Sequence, residues 1–301
     1  MFDAQMPLPA KPLQQSGEYR QAVTMVGGQS VTLSDGTLVL QRRFGKLPVA
    51  LLPRAQLCRD TLGDNLRAAN LHKSLLVISP DHPAPWLASL GAVGLMSPSY
   101  VAQLSLTGDL RAQMHQKWRN RLTFSQSQNL RITRQNLPSK PDIWLLQKDQ
   151  DQQSARGYKT WSEELTRAYG RANPGAAKLF TAFDGKHEVA AMLFLCHGRS
   201  ASYHIGHSTP HGRSLCAHNL LLWEAMQWLS AKGVTQLELG TIDTDKAPGL
   251  ARFKLGTGAK PRALGGTWGW WPPLGRLMSP LNLLDRRLMA VAAQADHSSA
   301  L

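Results

Sequence analysis

The stretch from Leu237 to Trp268 constrains the fold of this chain more than any other. It begins with the alternating run Leu237-Glu238-Leu239, which predicts the end of a buried strand. A Pro-Gly break and a basic Arg252-Phe253-Lys254 cluster follow it. Six glycines let the backbone turn tightly or approach a ligand closely: Gly240, Gly249, Gly256, Gly258, Gly265 and Gly266. Fixed positive charge in a flexible loop after a strand suits an anionic substrate.

Composition limits the class of protein and its partners. A chain of 301 residues can form one large or two medium domains, and 34 Lys and Arg against 20 Asp and Glu give a net charge of +14. Such a surface attracts polyanions, phosphorylated substrates or an anionic membrane face, although a basic protein without a charged partner is the plain alternative. Three cysteines without paired spacing indicate a reducing compartment. With neither a signal peptide nor a long apolar run recognisable, we expect a cytoplasmic protein.

The first third of the chain predicts a small unit without a catalytic motif. Residues 1–24 are rich in Pro, Gln and Ala and are expected to form a loose arm. Residues 25–106 read as strands joined by turns such as Ser34-Asp35-Gly36, with helical spacing from Leu57 to Leu71. We therefore expect an N-terminal α/β unit over 25–106.

The second part predicts a longer succession of elements. Asp109 is a plausible cap for a basic amphipathic helix running to about Ser125, and 147–157 reads as an irregular segment. A helix and three strands follow, and then a long helix that stops near Gly233. The resulting order, β-α-β-β-β-α-β-α-β, describes a mixed α/β sheet over 107–270.

This order and four sequence segments resemble the GNAT acyltransferases, and in particular their Fem-type (FemABX-like) branch. The segments are HQKWRNRL, HNLLLWEAMQWLSAKGV, LELGT and GLARFKLGTGA. The resemblance implies tandem GNAT-like units, with the second one, over 107–270, complete and catalytic. It also implies transfer of an acyl group to an amine.

The resemblance places the catalytic machinery in the final loop. In Fem-type enzymes the matching Phe-Lys pair lies at the active site, which implies that Phe253 shapes the pocket and Lys254 stabilises an oxyanion or a phosphate. Arg252 is assigned to substrate binding with them. A plain surface lysine is the alternative for Lys254.

Proton handling and acceptor positioning need further side chains. An amine must lose a proton before it attacks, so Asp243 is the first candidate for positioning it, directly after the strand and where GNAT-like folds open their sheet. Thr241 offers a neighbouring hydroxyl, and Tyr203 is assigned to substrate binding. Asp243 and Thr241 could equally cap the next turn.

Histidines are concentrated between Cys196 and His218, which suggests zinc at first sight. However, His204 and His207 are three apart on a predicted strand and should face opposite sides of the sheet. We therefore predict no metal site and keep His204 as a candidate for proton transfer.

The acyl donor stays open between acyl-coenzyme A and aminoacyl-tRNA. Gly212, Arg213 and Ser214 occupy the place of the phosphate loop that coenzyme A-dependent GNAT enzymes carry before the long helix. Only part of that loop's pattern is present. An aminoacyl-tRNA donor agrees with the positive charge.

The C-terminal tail, 271–301, combines Trp and Pro residues with an amphipathic helical pattern. It suits either a membrane interface, with a lipid-linked acceptor at its inner face, or a helix folded back on the domain. The sequence as a whole predicts an N-acyltransferase acting on an amine of an anionic acceptor. The alternatives are a coenzyme A-dependent N-acetyltransferase with a small acceptor and a non-catalytic protein that binds RNA or anionic lipid.

Overall fold

A computed structural model describes residues 11–45, 47–140, 143–157 and 160–278. The chain divides into two compact units. The first unit consists of Gly28–Ser99 together with the residues from Ala263 onward, and the second unit consists of the residues up to Gly27 together with Tyr100–Arg262.

The described residues contain both strands and helices. The strands are β1 (Gln29–Thr32), β2 (Leu38–Phe44), β3 (Leu47–Ala55), β4 (Leu75–Pro80), β5 (Val93–Met96), β6 (Tyr100–Ser105), β7 (Leu130–Asn136), β8 (Ala177–Asp184), β9 (His187–His197), β10 (Ser200–Ser208), β11 (Gln236–Ile242), β12 (Lys260–Ala263) and β13 (Thr267–Trp270). The α-helices are α1 (Gly17–Met25), α2 (Leu62–Ala68), α3 (Gln116–Ser127), α4 (Trp144–Arg156), α5 (Glu163–Ala172), α6 (Pro210–Ser214), α7 (Ala217–Ala231) and α8 (Pro248–Leu255). Short 3-10 helices lie at Leu13–Gln15, Pro85–Leu90 and Gly275–Met278.

A six-stranded sheet in the order β1-β2-β3-β4-β13-β5 forms the first unit. Its first three strands are joined by turns, as predicted, and form an antiparallel meander. Helix α2 is the crossover that lets β3 and β4 pair in parallel. Leu52, Leu66, Leu76 and Ile78 are fully buried in its core. Trp270 joins them because β13 lies between β4 and β5.

A seven-stranded sheet in the order β12-β6-β11-β10-β9-β8-β7 forms the second unit. Alternate residues of β9 are buried on its two faces: Met192 and Phe194 pack with α3 and α7, whereas Leu193 and Leu195 pack with α4 and α5. The two faces therefore have separate hydrophobic cores. The prediction of a mixed α/β fold is confirmed, and the two sheets agree with the predicted tandem units.

Three predicted segments differ from the structure. The segment 147–157 is not irregular, because residues up to Arg156 belong to α4, whose Leu145 and Leu146 are buried, and Gly157 caps the helix. The predicted helix from Asp109 begins only at Gln116, because the Asp109 carboxylate accepts hydrogen bonds from the backbone of Arg111 and Ala112 and closes a turn.

The predicted loose arm is also wrong where the structure describes it, since residues 17–25 form α1. Ser16 caps this helix by accepting a hydrogen bond from the Tyr19 backbone N–H. The Tyr19 ring packs 5.1 Å from that of Trp161, and Asn173 donates a hydrogen bond to the Glu18 carbonyl. A helix of nine residues is marginally stable by itself, so these tertiary contacts hold it in place.

The units also differ from the predicted boundaries at 106 and 270. β6 pairs with β11 and so belongs to the seven-stranded sheet, whereas β13 pairs with β4 and β5 and so belongs to the other. Pairing between strands that are far apart in the sequence therefore decides to which sheet β6 and β13 belong. Within the described residues, helices long and apolar enough to cross a bilayer are absent.

Candidate active site

The seven-stranded sheet opens between β10 and β11. These two strands pair at only three positions, Ser200–Gln236, Ala201–Leu237 and Ser202–Glu238, although β10 continues to Ser208 and β11 to Ile242. Each strand also shows a register shift beyond this point, at His204 in β10 and between Glu238 and Thr241 in β11. Bulges bend strands, so the two separate after their last pair. An opening of the sheet beside this strand is therefore present, as predicted.

Lys254 lies on α8 beside the bulge in β11. Its side chain is buried, and Nζ donates a hydrogen bond of 2.8 Å to the carbonyl of Thr241. Burial lowers the pKa of Lys254 to about 8, against the opposing effect of the Glu238 carboxylate. Gly240 has φ of +78°, and a Cβ there would lie 3.5 Å from Nζ. The alternative of a plain surface lysine is wrong for Lys254.

Phe253 anchors α8 to the core formed by α3 and α7. Its ring centroid lies 6.0 Å from Trp118 and 6.2 Å from His218, and its carbonyl accepts a hydrogen bond from Trp118 Nε1. His218 is half-buried and donates from Nε2 to the carbonyl of His207, and desolvation lowers its pKa to about 4. The neutral imidazole of His218 and the indole of Trp118 thus pack against Phe253, on the helix that carries Lys254.

Asp243, Thr241 and Arg252 are exposed around α8. The Asp243 carboxylate accepts hydrogen bonds from the backbone N–H groups of Asp245 and Lys246, so it closes the turn that precedes the helix. Thr241 contributes its carbonyl, rather than the predicted hydroxyl, as the acceptor for Lys254. The turn-capping alternative therefore describes the contacts that Asp243 makes.

His204 lies in the other core of the sheet. Its Nε2 hydrogen-bonds Thr166 of α5 at 2.9 Å, its ring lies 4.8 Å from Trp161, and burial lowers its pKa to about 4. His207 packs against Trp144 of α4 on the same side, so the prediction that the two histidines face opposite sides is wrong. The bulge at His204 breaks the regular alternation. The described residues contain no group of His, Cys, Asp and Glu that could hold a metal ion.

Comparison with known proteins identifies the second unit. The family model of the acetyltransferase (GNAT) domain matches residues 113–260. Residues 113–260 are a GNAT domain. The predicted resemblance to GNAT acyltransferases, and with it the prediction of an acyltransferase, is thereby confirmed. No curated protein sequence matches the chain significantly.

Solved structures with a similar fold cover most of the chain, including the GNAT domain. A crystal structure of FemX is 14% identical with a TM-score of 0.68, over 92% of this chain and 95% of FemX. The C-terminal domain of a lysylphosphatidylglycerol synthetase from Agrobacterium fabrum is 13% identical with a TM-score of 0.53, over 85% and 87%. L-PGS from Bacillus licheniformis is 14% identical with a TM-score of 0.52, over 83% and 86%. At these identities the similarities show a shared fold.

The predicted donor loop of the GNAT domain folds as α6, and its side chains bond locally. Arg213 donates to the carbonyl of Ser208 at 2.7 Å, and Ser214 donates to the carbonyl of His211 at 2.7 Å. Gly212 packs on β9, where a Cβ would lie 2.2 Å from the Val189 carbonyl oxygen. The glycine is therefore needed for packing. Helix α7 then begins at Ala217 without a side-chain cap.

The GNAT domain brings together some predicted site residues and separates others. Lys254 and Thr241 are in direct contact, and Phe253 is on the same helix. Tyr203 packs against Phe194, with ring centroids 5.8 Å apart, on the α3 and α7 side, whereas His204 lies on the opposite side. Sequence reasoning missed Glu238, which acts on the Lys254 pKa. The feature of the sequence that could have identified Glu238 is its position between Leu237 and Leu239, two apolar residues of a predicted strand.

Proposed function

We propose that the GNAT domain transfers an acyl or aminoacyl group to an amine of an anionic acceptor, with Lys254 stabilising the negative charge that develops. The observation that carries this proposal is the buried Lys254 ammonium at the bulge where β10 and β11 separate. A fixed cation in a partly dehydrated opening is worth more to a developing oxyanion than one in water.

The transfer forms an N–C bond and breaks the bond from the acyl carbon to its carrier. The carrier leaves as a thiol from acyl-coenzyme A or as a ribose hydroxyl from aminoacyl-tRNA, and takes up a proton. The amine must give up a proton in exchange. Asp243 remains the proposed group for orienting that amine, with Phe253, Arg252 and Tyr203 as proposed substrate contacts.

The donor and the acceptor are proposed at the level of chemical class. The fold similarity to a lysylphosphatidylglycerol synthetase, a name that describes lysine joined to an anionic lipid, supports aminoacyl transfer and a lipid-linked acceptor. A net charge of +14 supports either an anionic acceptor or tRNA. A cytoplasmic protein acting at the inner face of the membrane would meet both. The amphipathic helix predicted in the C-terminal tail, for either a membrane interface or packing on the domain, lies outside the described residues.

A transfer assay with two donor classes tests the proposal. Radiolabelled acyl-coenzyme A and charged tRNA are each offered with phosphatidylglycerol vesicles and with small amines. We expect transfer from one donor class by the wild type and a loss of about tenfold to a hundredfold in kcat for Lys254→Ala. Lys246→Ala, at an exposed lysine in the preceding turn, is the matched control and should keep full activity.

Two results would contradict the proposal. Equal turnover by Lys254→Ala and the wild type would remove the lysine from the mechanism. Binding of tRNA or anionic vesicles without turnover from either donor would favour the alternative of a non-catalytic binding protein.

A further inference from the structure

Strand β7 forms one edge of the seven-stranded sheet. It pairs with β8, and the next residue, Leu137, continues this pairing with a hydrogen bond of 2.9 Å from its N–H to the Ala177 carbonyl. Hydrogen-bonded and non-hydrogen-bonded positions alternate along an antiparallel pair. The N–H and carbonyl groups of Ile132, Arg134 and Asn136 therefore point away from β8, at the open edge of the sheet.

This edge is open for pairing. Among the residues that the structure describes, none exchanges a backbone hydrogen bond with Ile132, Arg134 or Asn136 on the outward side. Such a row of N–H and carbonyl groups is a template for a further strand, and protected edges are often shortened or interrupted by a proline or a bulge. Strand β7 is seven residues long, contains no proline and pairs with β8 without a register shift.

Positive charge lies on both faces of this edge. The Arg131 guanidinium lies over the Phe183 ring, with Cζ 4.2 Å from the centroid. Arg134 and Lys178 both lie over the Trp228 indole, at 5.1 and 5.3 Å from its centroid. Arg131 and Arg134 are exposed, and they belong to opposite faces because side chains alternate along a strand.

These three cations have no carboxylate partner within the described part of the chain. Lys178 donates to the neutral carboxamide of Asn136. Asp184, at the far end of β8, forms an ion pair with His211 at 2.7 Å. Two like charges over one indole repel each other, so a negatively charged group beside Trp228 would be stabilised there.

A small pocket lies where the chain leaves β7. Its volume is about 50 Å³, and it is lined by residues 137–139 and by α5, including the exposed Arg171. A peptide that extends past the end of β7 comes within reach of this pocket. Sites that bind peptides by strand addition combine main-chain hydrogen bonds with pockets for single side chains.

We propose that the free edge of β7 binds an extended acidic peptide of a partner protein by strand addition. Its backbone would pair with the outward groups of β7, and its carboxylates would contact Arg131 on one face and Arg134 on the other. A second copy of this chain fits less well, because each copy carries a net charge of +14 and would bring the same arginines together.

The surface goes beyond the proposed acyl transfer and is separate from the candidate active site. Strands β8 and β9 lie between β7 and β10 in the sheet, whereas the opening lies between β10 and β11.

Fluorescence anisotropy with the full chain tests the surface, with the labelled octapeptide VEEVVEEV as the probe. This peptide carries carboxylates on both faces when it is extended. One control is GEEGGEEG, which has equal charge and low strand propensity, and the other is octauridylate, which has phosphates but no peptide backbone. We expect VEEVVEEV to bind and neither control to match its affinity.

Substitutions at the edge separate charge from backbone pairing. Arg131→Gln combined with Arg134→Gln should raise the Kd of VEEVVEEV by about tenfold, because two exposed charge pairs are lost. Arg134→Pro should raise the Kd further than Arg134→Gln, since it also removes an outward N–H where an edge strand tolerates proline. Lys246→Gln, at an exposed lysine before α8, removes one charge elsewhere and should leave the Kd unchanged.

Amide hydrogen exchange detects the pairing without any substitution. Bound VEEVVEEV should slow exchange at Ile132, Arg134 and Asn136, whereas Thr133 and Gln135 are already bonded to β8 in the free protein. Unchanged exchange at the three outward amides, failure of VEEVVEEV to bind, or equal or tighter binding of either control would each overturn the proposal. None of these measurements depends on acyl transfer.

Discussion

At the scale of single residues, Lys254 should make turnover depend on pH. Burial lowers its pKa to about 8, so the ammonium that stabilises negative charge is lost as the pH rises through that value. We expect kcat of the wild type to fall above pH 8. In Lys254→Arg the charge persists to far higher pH, and any activity that remains should lack this descending limb. A wild-type rate that stays constant from pH 7 to 10 would argue against a charged Lys254 in the rate-limiting step.

Two half-buried histidines with lowered pKa values should weaken the fold in acid. Burial lowers the pKa values of His204 and His218 to about 4, below the ordinary value of 6.5, so the unfolded chain binds more protons than the folded one between these values. Stability is therefore lost as pH falls from 6.5 towards 4, by at most about 1.4 kcal/mol per pH unit for each histidine. Urea unfolding at pH 7 and 4.5 should show a smaller loss for His218→Gln than for the wild type. His115→Gln, at an exposed histidine, should match the wild type.

At the scale of elements, two glycines of the α8 segment should respond differently to the same substitution. A Cβ on Gly256 would lie 2.7 Å from Trp118 Cδ1, so Gly256→Ala must push α8 away from α3. We expect a loss of about 1–3 kcal/mol, together with reduced turnover because α8 carries Lys254. Gly249 has no heavy atom within 4 Å of its Cβ position, and Gly249→Ala should be neutral or slightly stabilising. Thermal unfolding of both variants checks this, and equal effects would contradict the packing of α8 on α3.

At the scale of the whole molecule, the six-stranded sheet depends on β13, the last strand of the part of the chain that the structure describes. Trp270 of β13 is buried between β4 and β5 and donates a hydrogen bond to the Leu90 carbonyl. Trp270→Ala should therefore cost about 3–5 kcal/mol and raise hydrogen exchange in β4 and β5. Trp271 is 38% exposed, so Trp271→Ala should have a clearly smaller effect. Equal exchange in the two variants would show that β13 does not hold this sheet together.

Local pattern in the sequence was enough for the elements with strong periodicity. Leu110, Met114, Trp118 and Leu122 recur at helical spacing and are all buried, as that spacing predicts, even though the helix begins only at Gln116. The strands over 177–208 and the stop of α7 before Gly233 follow from alternation and turn chemistry in the same way. The Phe-Lys pair, too, could be found from its sequence context.

Contacts between distant residues decided the rest. Helix α1 forms because Tyr19 finds Trp161, and β6 and β13 join their sheets through pairings far along the chain. Two bulges, at His204 and between Glu238 and Thr241, set which side chains face each other. The sequence by itself predicted a GNAT-type domain, through its resemblance to that family, and directed attention to the Phe253-Lys254 pair near the end of that domain. Only the tertiary structure buried that lysine against the Thr241 carbonyl, because burial and a lowered pKa arise from neighbours that local pattern does not specify.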